Sequence, residues 1–274
     1  MSLEESRGGD PLIDPREPNG PPVTVTRIDF SQTPLAADYS PYFAMVIDNL
    51  LTPTECGALL ASAGSDWKTL SKGDSWRECE QILSISPEWA KALSRKLAPH
   101  LPEEVRTLRK GDMLAEHIAG PSNLKASQGA NKTVWRFTGA NDRLSLLRYH
   151  PGDHFKPHCD ALCSPGDGRK SFLTCQIYLS DMPHGGEDGG SSGGETRFWS
   201  SRAGMGRKKS SSDVEEANEH HVEQAFLDVE PKMGRALIFQ QRMLWHSGQE
   251  VKRGEKFTVR LDLMYEHHFE KLSR

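Results

Sequence analysis

His158 and Asp160 stand two residues apart, and in an extended segment residues i and i+2 project from one face. An imidazole and a carboxylate presented together make two adjacent ligands of a metal site. One further His would complete the two-His, one-carboxylate set that leaves open positions on a non-heme Fe(II). Read alone, His-x-Asp is a three-residue pattern that many surface loops carry by chance. His246, in the stretch Leu244-Trp245-His246-Ser247-Gly248, is the natural third ligand, because it lies far enough downstream to come from a facing strand. A rival set exists in His150, His154 and His158, spaced by four as on a helix face and suited to zinc. Pro151, Gly152 and Pro157 interrupt any helix there, and no Glu follows to make a His-Glu-x-x-His site.

These residues need strands to hold them, and from Trp135 onward the apolar period becomes two. Residues 144–149 read as a strand. In residues 172–179, Thr174, Gln176 and Tyr178 fall on one face, and Leu173, Cys175, Ile177 and Leu179 on the other. Shorter strands are expected at 195–199, 225–229 and 235–240. In residues 256–265, Phe257, Val259, Leu261 and Leu263 form an apolar face opposite Lys256, Thr258, Arg260 and Asp262. So polar a second face must meet water or line a polar cavity. Asn141 and Arg143, just ahead of the 144–149 strand, could orient a substrate or support a ligand.

Upstream the signals are helical. Thr52 can cap a helix opened by Pro53, with Glu55 completing a capping box and Gly64 marking its end. A second helix opens at Ser86-Pro87, with Trp89, Leu93 and Leu97 on one face. A strand at 42–47 precedes both, a short helical piece is expected from Pro102 to Leu108, and residues 110–132 show little pattern. Helices followed by many short strands indicate an α+β chain, with helices covering one face of a rolled β-sandwich or barrel.

The composition narrows the function classes. Of 274 residues, 26% are charged and 36% apolar, with a net charge of −4, so no global basic field recruits nucleic acid. No apolar run approaches the ~18 residues of a membrane span. Five cysteines without framework spacing (Cys56, Cys79, Cys159, Cys163 and Cys175) suit reduced thiols in a cytoplasmic protein. Residues 1–22, acidic and rich in Pro and Gly, are expected to be a disordered tail without signal-peptide character, and 23–274 one domain. Gly-rich 181–194 and Ser/Lys/Glu-rich 199–222 are expected to be mobile inserts between strands.

Taken in order, Leu147-Arg148-Tyr149-His150-Pro151-Gly152, Pro157-His158-Cys159-Asp160, Gly193-Gly194-Glu195-Thr196-Arg197-Phe198, His246-Ser247-Gly248 and Gly254-Glu255-Lys256-Phe257 resemble the Fe(II)/2-oxoglutarate-dependent dioxygenases, in particular the prolyl 4-hydroxylase-like group. The resemblance implies a double-stranded β-helix (a jelly-roll, cupin-like core) over about residues 135–266, with the N-terminal helices packed on one sheet. By motif position it implies His158, Asp160 and His246 as iron ligands. It implies Lys256, ten residues past His246, as the base for the distal carboxylate of 2-oxoglutarate, with Tyr149, Tyr178 and Thr196 around that cosubstrate. Arg260, about 13 Å further along the strand, would reach the other end of 2-oxoglutarate or a substrate carboxylate. The implied activity is O2-dependent oxidation, usually hydroxylation, of a small molecule or peptidyl residue, releasing succinate and CO2, with ascorbate as a possible accessory reductant. The alternative is a cupin-type metal-binding protein or metalloenzyme that does not use 2-oxoglutarate.

Overall fold

The computed structural model describes residues 21–71, 76–125, 131–183, 191–200 and 224–271. Nearly all of the expected N-terminal tail, half of the expected 181–194 insert and nearly all of the 199–222 insert lie outside the described residues. The N-terminal part runs β1 (Thr24–Arg27), α1 (Ala36–Tyr39), β2 (Ala44–Asp48), α2 (Pro53–Ser62), β3 (Lys68–Ser71), β4 (Arg77–Ile85), α3 (Pro87–Leu97), α4 (Glu103–Arg106), β5 (Thr107–Arg109) and α5 (Met113–Ala119). Then come β6 (Asn131–Ala140), β7 (Arg143–Tyr149), β8 (His154–His158), β9 (Lys170–Tyr178), β10 (Thr196–Trp199), β11 (Phe226–Val229), β12 (Ala236–Gln240), β13 (His246–Gly248) and β14 (Lys256–Lys271).

Helix α2 starts as its sequence dictates. The Thr52 hydroxyl accepts from the Glu55 amide, the Glu55 carboxylate accepts from the Thr52 amide, and Pro53 occupies the first turn. At α3, Ser86 accepts from the Trp89 amide, and Trp89, Leu93 and Leu97 are buried. The region read as patternless holds α5, which has no side-chain cap.

The last eight strands make the roll. Strands β12, β9, β14 and β7 pair in that order in one layer, and β8, β13, β10 and β11 in the other. All of these pairings are antiparallel. Strand β4 joins the layers, pairing with β7 through Glu80–Ile85 and with β8 through Arg77 and Glu78. Apart from the paired β10 and β11, consecutive strands thus alternate between two facing layers, which is a double-stranded β-helix with N-terminal helices on one side. On the outer face Ile177, Val259, Leu261 and Leu263 pack with Leu59 of α2 and Trp89 and Leu93 of α3. Burial of each such side chain contributes about 1.5–3 kcal/mol. Among the described residues no helix is long and apolar enough to cross a membrane.

Candidate active site

The inner faces of the two layers enclose a cavity of about 440 Å³, in the range of small-ligand sites. His158 closes β8 and pairs directly with His246, which opens β13. Asp160 follows two residues beyond His158. Potential ligand atoms of the three residues lie within 4.8 Å of one another. His158 Nε2 is 3.9 Å from Asp160 Oδ1, and His246 Nε2 is 3.8 Å from Asp160 Oδ2. Cis ligands held about 2.1 Å from an ion stand about 3 Å apart, so each distance closes by less than 1 Å on a metal. His150 and His154 do not join them. His150 instead bridges Glu80 and Glu255, at 3.1 and 2.9 Å.

Both imidazoles are set as ligands by their backbone contacts. His158 Nδ1 is 2.8 Å from the Lys156 carbonyl, and His246 Nδ1 is 3.0 Å from the Leu244 carbonyl. A carbonyl only accepts, so each Nδ1 carries the proton and each Nε2 keeps its lone pair toward Asp160. Burial, followed by the neighbouring His246, pushes His158 down to about 3, so it is neutral at pH 7. Asp160 accepts from the Thr174 hydroxyl at 2.5 Å and pairs with Arg260 at 3.1 Å. Burial opposes its charge, but the Arg260 guanidinium, with the Thr174 hydrogen bond, outweighs burial and holds the carboxyl below its ordinary range. Two neutral imidazoles and one anionic carboxylate, each braced from behind, are a donor set that fits Fe(II).

Lys256 stands on the same face of β14 and is only 2% exposed. Its ammonium lies over the rings of Tyr149 and Tyr178, at 5.0 and 5.7 Å from the centroids. Among the described residues no carboxylate lies within ion-pair distance of it. Burial pushes it down to about 8. Thr258, next on that face, buries a hydroxyl with no hydrogen-bond partner among the described residues. An unpaired cation and an orphaned hydroxyl suit a small dianion such as 2-oxoglutarate. Arg260 pairs instead with Asp160 and, at 3.2 Å, with Asp262. Thr196 accepts from Tyr178 at 2.7 Å and from Gln176 at 3.0 Å, so Tyr178 braces Thr196, while Tyr149 and Thr196 face the cavity.

The glycine motifs have a steric reason. Gly193 and Gly194 lie at φ +76° and +80°, and a Cβ on Gly193 would stand 2.0 Å from the Glu250 carbonyl oxygen. A Cβ on Gly194 would meet the Lys256 side chain at 3.2 Å. Gly193→Ala is therefore expected to destabilise the protein by at least ~3 kcal/mol, read by chemical denaturation. A loss under ~1 kcal/mol would show that this crossing yields easily.

Sequence reasoning placed Thr174 and Thr258 on the polar faces of their strands but gave neither a role, because a hydroxyl on a strand carries no signal of which group it meets. Arg77, Gln81 and Leu83 of β4 also line the cavity. Their strand was not foreseen, since Arg77, Glu78 and Glu80 break the alternation that marks a half-buried strand.

Residues 144–261 match the sequence model of the 2OG-Fe(II) oxygenase superfamily. No curated protein sequence matches the chain. Solved structures with similar folds include viral collagen prolyl hydroxylase from Paramecium Bursaria Chlorella virus-1 (18% identity, 81% of this chain and 96% of that one, TM-score 0.43). A Pseudomonas putida prolyl-4-hydroxylase is 16% identical over 86% of this chain and 94% of that one, with a TM-score of 0.44. The non-heme α-ketoglutarate-dependent epimerase SnoN from nogalamycin biosynthesis is 16% identical over 85% and 79%, also at 0.44.

Proposed function

We propose that this chain is a member of the 2OG-Fe(II) oxygenase superfamily, whose model its residues 144–261 match, and that His158, Asp160 and His246 hold its iron and Lys256 the distal carboxylate of 2-oxoglutarate. The protein is an Fe(II)- and 2-oxoglutarate-dependent oxygenase. Bound at such a site, Fe(II) supplies O2 activation coupled to conversion of 2-oxoglutarate to succinate and CO2 and to oxidation of a substrate C–H. The chain's own groups do the rest. The Lys156 and Leu244 carbonyls fix the two imidazoles, and Thr174 and Arg260 fix Asp160. Lys256 supplies the charge for the cosubstrate, with Thr258 and Tyr149 beside it, and the Phe155 ring, stacked 3.7 Å from His158, keeps water from that side of the imidazole. Tyr178 and Thr196 act as the braced wall behind the cosubstrate. The unbroken sheet from Thr24 to Lys271 supports one catalytic domain over 23–274. The substrate is a small molecule or a peptidyl residue.

One observation carries the cosubstrate assignment: Lys256 is buried, cationic and without an ion-pair partner among the described residues, in the cavity that holds the three ligands. A cupin-type metal protein that ignores 2-oxoglutarate would leave this cation without a partner. Succinate release that needs both Fe(II) and 2-oxoglutarate tests the activity, and release without either would sink it.

The ammonium also sets a pH dependence. The free protein loses the Lys256 charge as pH rises through about 8, while the dianion binds the charged form. Its dissociation constant is expected to rise about tenfold per pH unit above that point. Titration of the visible absorption of the Fe(II)–2-oxoglutarate complex between pH 7 and 9.5 measures this, and a flat profile would remove Lys256 from the role.

A further inference from the structure

Resting on the Fe(II)/2-oxoglutarate reading above, we propose that the substrate to be oxidised carries its own carboxylate, docked between Arg143 and Arg260 at the outer end of the cavity with its hydrocarbon against Leu83 and Leu162. The side chains lining the cavity include four cations, Arg77, Arg143, Lys256 and Arg260, against two carboxylates, Asp160 and Asp262. A ferrous ion and a 2-oxoglutarate dianion cancel one another, so the loaded site keeps the cation surplus. The chain as a whole is net −4, so this surplus is local to the cavity and attracts an anion there.

The strand register says where that anion goes. Ser145 pairs with Arg260 across β7 and β14, and Arg143 precedes Ser145 on the same face. The Arg143–Arg260 diagonal is therefore about 7–8 Å between Cα atoms, which long side chains span easily. Arg260 is held in place by Asp160 and Asp262. Asp262 also accepts from Gln241 at 2.8 Å, through the same Oδ1 that faces Arg260. Arg143 has no ion pair among the described residues, although its charge acts on Asp262 from nearby. Between the two arginines, the Ser145 hydroxyl accepts from Gln81 at 2.6 Å and keeps its proton free to donate. Two guanidinium groups and a hydroxyl on one stretch of the cavity wall are the donors a carboxylate requires. Beside them Leu83 and Leu162 are 48% and 40% exposed, an apolar lip matched to an apolar body. Arg77 stands away from this group, stacked over Phe155.

The test uses the full chain, anaerobic, with Fe(II) and saturating 2-oxoglutarate so that Lys256 is already occupied. Matched pairs are titrated by calorimetry and by perturbation of the visible absorption. The pairs are phenylacetate and phenylacetamide, hexanoate and hexanamide, and the capped residues N-acetyl-glutamate N-methylamide and its glutamine counterpart. Each acid is expected to bind at least tenfold more tightly than its amide in either the free-acid or the capped-residue series, and the series that responds tells which source of carboxylate the site takes. Arg143→Gln is expected to erase that preference and Arg143→Lys to keep part of it. The proposal is overturned by equal binding of acids and amides, by a preference that survives Arg143→Gln, or by no binding of any pair up to about 10 mM. Absence of the initial Fe(II)–2-oxoglutarate absorption would instead overturn the cofactor reading itself, and this inference with it.

Discussion

Replacing Asp160 with alanine is expected to lower Fe(II) affinity at least 100-fold and to reduce succinate formation to background. Loss of groups that merely orient a ligand costs about 10–100-fold, and Asp160 is the only anion of the proposed set. The substitution also takes a partner from Thr174 and leaves Arg260 to Asp262 alone. A half-paired, largely buried guanidinium costs about 2–3 kcal/mol, so the apo protein should also melt at lower temperature. Asp160→Asn separates the two effects. It keeps an acceptor for Thr174 and the shape of the site, yet removes the charge. Its melting temperature should lie nearer wild type while its iron affinity stays low. Iron titration of both variants decides, and wild-type affinity in either would exclude Asp160 as a ligand.

The site was legible in the sequence to the extent that strands are. His158 and Asp160 could be placed on one face because alternation is a local property. The two faces of β9 and β14 follow the alternation of their residues, from Thr174 to Tyr178 and from Lys256 to Leu263. The capping box of α2 was legible for the same reason, since its hydrogen bonds span three residues. Two things were not local. Strand β4 owes its place to pairing with β7 and β8, and a run of charged residues gives no sign of such partners. Strand β14 continues to Lys271, past the expected end at residue 265, because β6 pairs with it as far as Asn131. The division of labour between Lys256 and Arg260 also needed three dimensions. Spacing put both bases on one face, but only the fold shows Arg260 held by two carboxylates and Lys256 by none among the described residues.

That division gives Lys256→Met two effects of opposite sign. In the apo protein the ammonium is buried over two tyrosine rings, and burial lowers it from 10.5 to about 8. Keeping it charged at pH 7 therefore costs about 3 kcal/mol. The sign follows from proton uptake. Between about 8 and 10.5 the unfolded chain holds the proton and the folded chain does not, so apo stability rises with pH across that window and the full cost is present below it. Methionine fills similar volume, adapts its shape and carries no charge, so it removes the cost while giving up the contacts with Tyr149 and Tyr178. The net expectation is a stabilisation of about 2 kcal/mol at pH 7, a Tm rise of roughly 4–8 °C, together with loss of the stability gain between pH 8 and 10.5. The opposite change appears with cosubstrate. A buried carboxylate deprived of its cation loses about 3–5 kcal/mol, so 2-oxoglutarate affinity should fall 100-fold or more. Thermal melts with and without 2-oxoglutarate read both effects in one experiment. A variant that is destabilised in the apo state, or that still gains wild-type protection from 2-oxoglutarate, would show that Lys256 serves the fold and not the cosubstrate.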